Sequence, residues 1–112
     1  MELIITTQEP RLDSPVDNRF GRAQWFIKID PETKTWEALL NPALNQSGGA
    51  GVTAAQLAVD QKVSVVISGN FGPNAARVLR VADVRMMRFS DSVTTAYDAL
   101  DQYLQGKLQI LE

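Results

Sequence analysis

Neither cysteine nor histidine occurs anywhere in the 112 residues. Their absence removes disulfides, thiolate nucleophiles and zinc-finger ligand sets. Ser-His-Asp and Cys-His catalytic constellations are excluded with them. Metal ligands are confined to oxygens and to the thioethers of Met1, Met86 and Met87. Excess charge is also scarce: 11 Lys and Arg stand against 13 Asp and Glu, a net charge of −2. No global field therefore draws nucleic acid or an anionic membrane, and any anion site must be local. Long apolar runs are missing, and none approaches the roughly 20 residues of a membrane span. The opening MELIITTQEP lacks a basic leader, and its apolar run is too short for a signal peptide. A cytoplasmic protein of one domain over 1–112 is expected, without repeats or low-complexity tracts.

What is present reads as alternating strands and helices. Leu3 to Thr7 is a short β-branched run suited to a buried strand. Residues 8–22 carry two prolines, Asp13-Ser14, Asp17-Asn18 and Gly21, which is turn chemistry. A 15-residue connection is long for a compact domain, and such loops are usually functional or disordered. Residues 23–30 and 35–40 form an antiparallel pair across Asp30-Pro31-Glu32-Thr33-Lys34. After a Gly-rich loop at 41–51, residues 51–62 place Thr53, Gln56 and Asp60 on one narrow polar face of a helix. Residues 63–68 are a buried strand, and 73–82 a helix with Pro73 in its first turn. Residues 84–89 are a strand near an edge, interrupted by Arg85 and Arg88. Asp91 or Ser92 caps a last helix with an apolar arc of Val93, Ala96, Tyr97, Leu100, Tyr103 and Leu104, ended by Gly106.

The order β-β-β-α-β-α-β-α predicts a three-layer α/β/α fold on a five-stranded mixed sheet, with right-handed crossovers. With strand one up, the loops 8–22 and 41–51 and the turns 69–73 and 89–92 gather at one end. Open α/β sheets bind ligands at the carboxyl ends of their strands.

Three motifs lie at that end. In S-G-G-A-G (47–51), Gly49 and Gly51 open a helix whose free amides favour anions. The run is a loose G-x-G-x-x-A, yet no strand directly precedes it and no acidic residue follows at the proper distance, so a dinucleotide fingerprint is rejected. The bland alternative is a turn with a close helix contact. G-N-F-G-P-N-A (69–75) makes a second amide cup from Gly72, Pro73 and Asn74, with Asn70 and Phe71 at its tip. The alternative is a plain βα turn. R-F-G-R (19–22) brings Arg19, Phe20, Gly21 and Arg22 over both cups. The alternative is a surface loop in which Phe20 plugs a gap and the arginines are solvated or pair with Asp13 and Asp17. Turn capping accounts for Asp13 and Asp17 better than a hard-metal site does. Strands LIITT and VVISG carry no carboxylates, which disfavours a two-metal nuclease or phosphoryl hydrolase.

Taken together, L-D-S-P-V-D-N-R-F-G-R-A (12–23), G-G-A-G-V-x-A-A-Q (48–56) and V-V-I-S-G-N-F-G-P-N-A (65–75) resemble the dinitrogenase iron–molybdenum cofactor biosynthesis family. This family comprises nitrogenase accessory proteins and their stand-alone relatives. The resemblance spans nearly the whole chain and implies a ribonuclease H-like topology. It also implies binding and transfer of iron–sulfur or mixed-metal sulfide clusters, or of cofactor precursors. Arg19, Phe20, Gly21, Arg22, Gly49, Gly51, Gly69, Gly72, Pro73 and Asn74 match its recurrent motifs. Some members ligate the cluster through histidine or cysteine, and this chain has neither.

The expectation is therefore a carrier rather than an enzyme, with no catalytic residues and no direct metal ligands. An anionic iron–sulfur or molybdenum–iron sulfide cluster is held non-covalently by Arg19, Arg22 and two helix starts, with Phe20 and Phe71 as covers and Asn70 and Asn74 as polar neighbours. Expected partners are the cluster or its precursor and cofactor-synthesis or acceptor proteins, with no nucleic acid or membrane, and a monomer or weak dimer. The alternative is a regulatory or interaction module binding a phosphate, nucleotide or other organic anion at the same place.

Overall fold

The computed structural model describes residues 1–111. Strand β1 (Leu3–Thr7) is buried on both faces and lies inside the sheet. It pairs antiparallel with β2 (Trp25–Ile29), which pairs antiparallel with β3 (Trp36–Leu40). On its other side it runs parallel to β4 (Val65–Ser68), which runs parallel to β5 (Arg85–Arg88). Helices α1 (Ala50–Asp60), α2 (Pro73–Val81) and α3 (Ala96–Leu104) connect or follow these strands. The mixed sheet and the three helices match the reading of the sequence.

The strand count does not. Beyond Gly106 the chain returns as β6 (Gln109–Leu111), antiparallel to β5, so the sheet has six strands in the order β3-β2-β1-β4-β5-β6. β5 is consequently covered rather than at the edge. Its arginines project to solvent from a paired strand, Arg88 standing opposite Gln109.

Period-2 alternation divides the core in two. Ile4, Phe26, Val66 and Met86 face Ala54, Ala55 and Ala58 of α1 and Ala75 and Leu79 of α2. Leu3, Ile5, Ile27, Ile29, Val65 and Ile67 face Ala96, Ala99 and Leu100 of α3. α3 starts later than expected. Thr95 is its cap: its Oγ1 accepts from the Asp98 amide at 3.2 Å, and the Asp98 carboxylate accepts from the Thr95 amide at 3.1 Å. This reciprocal capping box satisfies two orphan donors, which Asp91 or Ser92 does not do. Val93 still packs in the core, from the preceding turn, whereas Tyr97 and Leu104 of the expected apolar arc are about half exposed. Gly106 follows the helix with φ 70°, the left-handed conformation expected of a helix stop. In the β2–β3 turn, the Glu32 amide donates to the Asp30 carboxylate at 2.9 Å and holds its pKa below the ordinary value.

Candidate functional site

Residues 8–22 carry no helix or strand of their own, yet their backbone groups are paired. The Gln8 amide donates to the Pro15 carbonyl, that of Asp17 to Thr6, and that of Val16 to Thr94. The Thr6 hydroxyl donates to the Asp17 carbonyl at 2.6 Å and lies 2.8 Å from the Ser68 hydroxyl, which ties the loop to both β1 and β4. Further on, the Phe20 amide donates to the Asn70 carbonyl at 3.1 Å, and Arg19 bridges Asn70. The 41–49 segment closes the other side. Asn41, 1% exposed, donates from Nδ2 to the carbonyls of Gly21 and Ala23, and its Oδ1 accepts from the Ala43 amide. The loops and turns that the topology sends to one end are thus joined there by hydrogen bonds.

This frame encloses a groove of about 960 Å³ beside the carboxyl end of β1. Arg19 and Arg22 line it, with Gln8, Glu9, Val16, Asp17, Asn18, Gln24 and Leu44. Arg22 donates from Nη1 to the Gln46 carbonyl at 2.8 Å and forms no ion pair among the described residues. A neutral acceptor thereby positions its guanidinium while leaving the charge and further N–H donors uncommitted. Arg19 is 67% exposed and sits 3.6 Å from the Asp17 carboxylate, a loose pair worth little in water. Glu9, the other acid in the lining, is bound by Arg11 at 2.7 Å. Glu9 is thus taken up by Arg11, whereas Arg22 stays uncompensated among the described residues and Arg19 shares its charge only loosely with Asp17.

The other residues expected at the site fall into three positions. Phe20 is 1% exposed, stacked on Phe26 at 5.5 Å and 8° and tilted against Phe71 at 5.4 Å. It fills the core under the arginines, which is the gap-filling alternative. Gly21 lies over the start of α1, where an added Cβ would stand 3.0 Å from the Gly51 Cα, and Gly51 in turn rests against Ala75 of α2. These glycines permit close backbone packing. Gly49 and Gly72 are the N-caps of α1 and α2, neither helix has a side-chain cap, and Asn70 and Asn74 are exposed beside them. None of these helix-start residues lines the groove itself.

Gly69 has its own constraint. A Cβ there would lie 2.8 Å from Asn18 Oδ1 and 2.9 Å from Asn18 Cα. Gly69→Ala is expected to push Asn18 and Arg19 outward and to cost about 1–3 kcal/mol, read from the urea midpoint.

Residues 1–106 match the dinitrogenase iron–molybdenum cofactor family. The chain belongs to that family. Among relatives of this chain, the structure of the apo form of the orange protein from Desulfovibrio gigas superposes with a TM-score of 0.92 at 31% identity, covering 98% of this chain and 92% of that one. The solution structure of a NifB candidate from Thermotoga superposes with a TM-score of 0.85 at 32% identity, with coverage of 98% and 92%. An uncharacterised protein of Methanocaldococcus jannaschii is 28% identical over 120 residues and the match covers the whole of both chains.

Among the described residues, no group of three or more His, Cys, Asp or Glu side chains could hold a metal ion. No helix among them is long and apolar enough to cross a membrane. Gln8, Gln24, Leu44, Gln46 and Asn41 contribute to the groove or its frame without having stood out in the sequence. Neutral amides in loops carry no periodicity, and only Asn41, in the Asn-Pro pair that ends β3, sits where turn chemistry points.

Proposed function

We propose that this protein is a small carrier for an anionic metal–sulfide cluster or iron–molybdenum cofactor precursor, bound in the groove beside Arg19 and Arg22. The observation that carries the reading is that both arginines face one groove, neither held by a close ion pair. Two guanidiniums suit a dianionic cargo because charge-assisted hydrogen bonds are the stronger class. A unit pair at about 4 Å is worth roughly 4 kcal/mol near a protein surface. Family membership supports the cargo class, and the existence of an apo form of the orange protein supports a separable bound group. The uncapped starts of α1 and α2, with Gly49, Gly51, Gly72 and Asn74, supply a positive background near the groove, while Asn70 holds the Phe20 amide and Phe71 packs on the Phe20 ring behind it.

In this reading the protein binds rather than catalyses, works in the cytoplasm, and exchanges its cargo with cofactor-synthesis or acceptor proteins. Holding the cargo without covalent ligands makes release possible without bond breaking. We also read the order β3-β2-β1-β4-β5, with β2 alone running against the others, as the ribonuclease H-like sheet implied by the resemblance, extended by β6.

The test is anaerobic incubation with iron–sulfide and thiomolybdate species, followed by metal analysis and absorption spectroscopy. A stoichiometric coloured complex is expected. Its affinity should fall about 100-fold or more in Arg19→Ala/Arg22→Ala, since two charged hydrogen bonds contribute about 1.5–3 kcal/mol each. Both side chains are exposed, so the fold should survive, with an unchanged circular dichroism spectrum. Protein that stays colourless and metal-free under every condition rejects the carrier reading.

A further inference from the structure

On the far side of the 69–72 turn from the arginine groove lies a second polar cavity of about 420 Å³, at the carboxyl ends of β4 and β5. Gly69, Arg88, Ser90, Asp91, Lys107 and Gln109 line it. We propose that this cavity binds a phosphate group. Lys107 and Gln109 fall beyond residues 1–106, so the family match assigns them nothing.

The sheet register builds the site. Arg88, the last residue of β5, stands opposite Gln109 of β6. Its Nε and Nη2 both donate to the Gln109 Oε1, at 3.3 and 2.9 Å. A carboxylate at that position would neutralise the guanidinium. A neutral amide orients it and leaves the full charge, together with Nη1, for a ligand. Neither Arg88 nor Lys107 forms an ion pair among the described residues. The remaining Nη1 edge of Arg88, the point charge of Lys107 and the hydroxyl of Ser90, which lies 2.7 Å from that of Ser92, form a donor set suited to a tetrahedral oxyanion. Asp91 selects among such anions. Its carboxylate repels one that is fully deprotonated and accepts from the P–O–H of hydrogen phosphate, a proton that sulfate lacks at neutral pH.

The experiment is a titration of the full chain with inorganic phosphate, glycerol phosphate and sulfate, followed by amide NMR. Shifts are expected at Gly69, Ser90, Asp91, Lys107 and Gln109, saturating with phosphate and at least several-fold weaker with sulfate. Arg88→Ala and Lys107→Ala should each weaken binding about tenfold or more. Arg88→Lys keeps the charge but loses the guanidinium that Gln109 orients, and should fall between. Arg19→Ala/Arg22→Ala should leave these shifts unchanged. Saturation by inorganic phosphate supports the site, and saturation by glycerol phosphate alone, whose dianion carries no P–O–H for Asp91 to accept from, overturns it. Shifts that persist in Arg88→Ala, disappear in Arg19→Ala/Arg22→Ala, or saturate equally with sulfate overturn it. The absence of shifts with all three anions does the same.

Discussion

Replacement of Phe20 by alanine is expected to destabilise the protein by about 3–5 kcal/mol and to lower its Tm by more than about 10 °C. The ring is 1% exposed and lies between Phe26 and Phe71, with the aliphatic side of the α1–α2 core beneath it. Removing it takes away buried apolar area and two aromatic contacts. The rigid sheet on one side and the helix pair on the other limit how far the space can close. Phe20→Leu keeps most of the volume and should cost much less. Urea unfolding and thermal melts of the three proteins measure the two numbers. If Phe20 instead covered bound cargo, alanine would spare stability and weaken cargo binding alone.

The second large effect is expected at Asn41. Its amide makes two donations, to the Gly21 carbonyl at 3.1 Å and the Ala23 carbonyl at 2.8 Å, and accepts from the Ala43 amide at 2.9 Å. Asn41→Leu has similar size but leaves three backbone groups without partners, each costing about 1–3 kcal/mol if it stays dry. A loss of about 3 kcal/mol or more follows, measured by urea unfolding. The same variant frees the turn that carries Arg22 and should weaken cargo binding even where the protein remains folded. Asn41→Asp separates the donor and acceptor roles. It keeps the acceptor for Ala43 and aims a carboxylate at two carbonyl oxygens, so it should be at least as damaging as leucine. An aspartate variant as stable as the parent would show that the frame does not depend on this amide.

The two residues also show where sequence reasoning stopped. β1 and β4 were legible as short, unbroken runs rich in β-branched residues and bounded by turn residues, and α1 by the helical spacing of its alanines. β6 was not. Three residues after a glycine stop contain too little alternation to distinguish a strand from a trailing end, and their pairing depends on β5 being open beside them. The start of α3 was read at Asp91 or Ser92, and the pairing of Thr95 with Asp98, three residues on, sets it instead. In the site, the arginines were legible as cations on a turn. Whether Phe20 faced ligand or core depended on the crossing of the loop over β2, a tertiary fact with no local signal. The Gly21–Gly51 contact joins two motifs that looked like separate ligand cups.

The hydroxyl pair of Thr6 and Ser68 spans 62 residues of chain. β2 and β3 form a local hairpin, of the kind that closes within roughly 1–10 μs. Placing β4 beside β1 requires a far longer closure, whose entropy must be met before the contact rewards it. The arginine loop is fastened through Thr6 to both strands, so the groove exists only in a chain with β4 docked beside β1. A cargo that recognises the groove therefore binds only finished molecules and, by mass action, draws the folding equilibrium toward them.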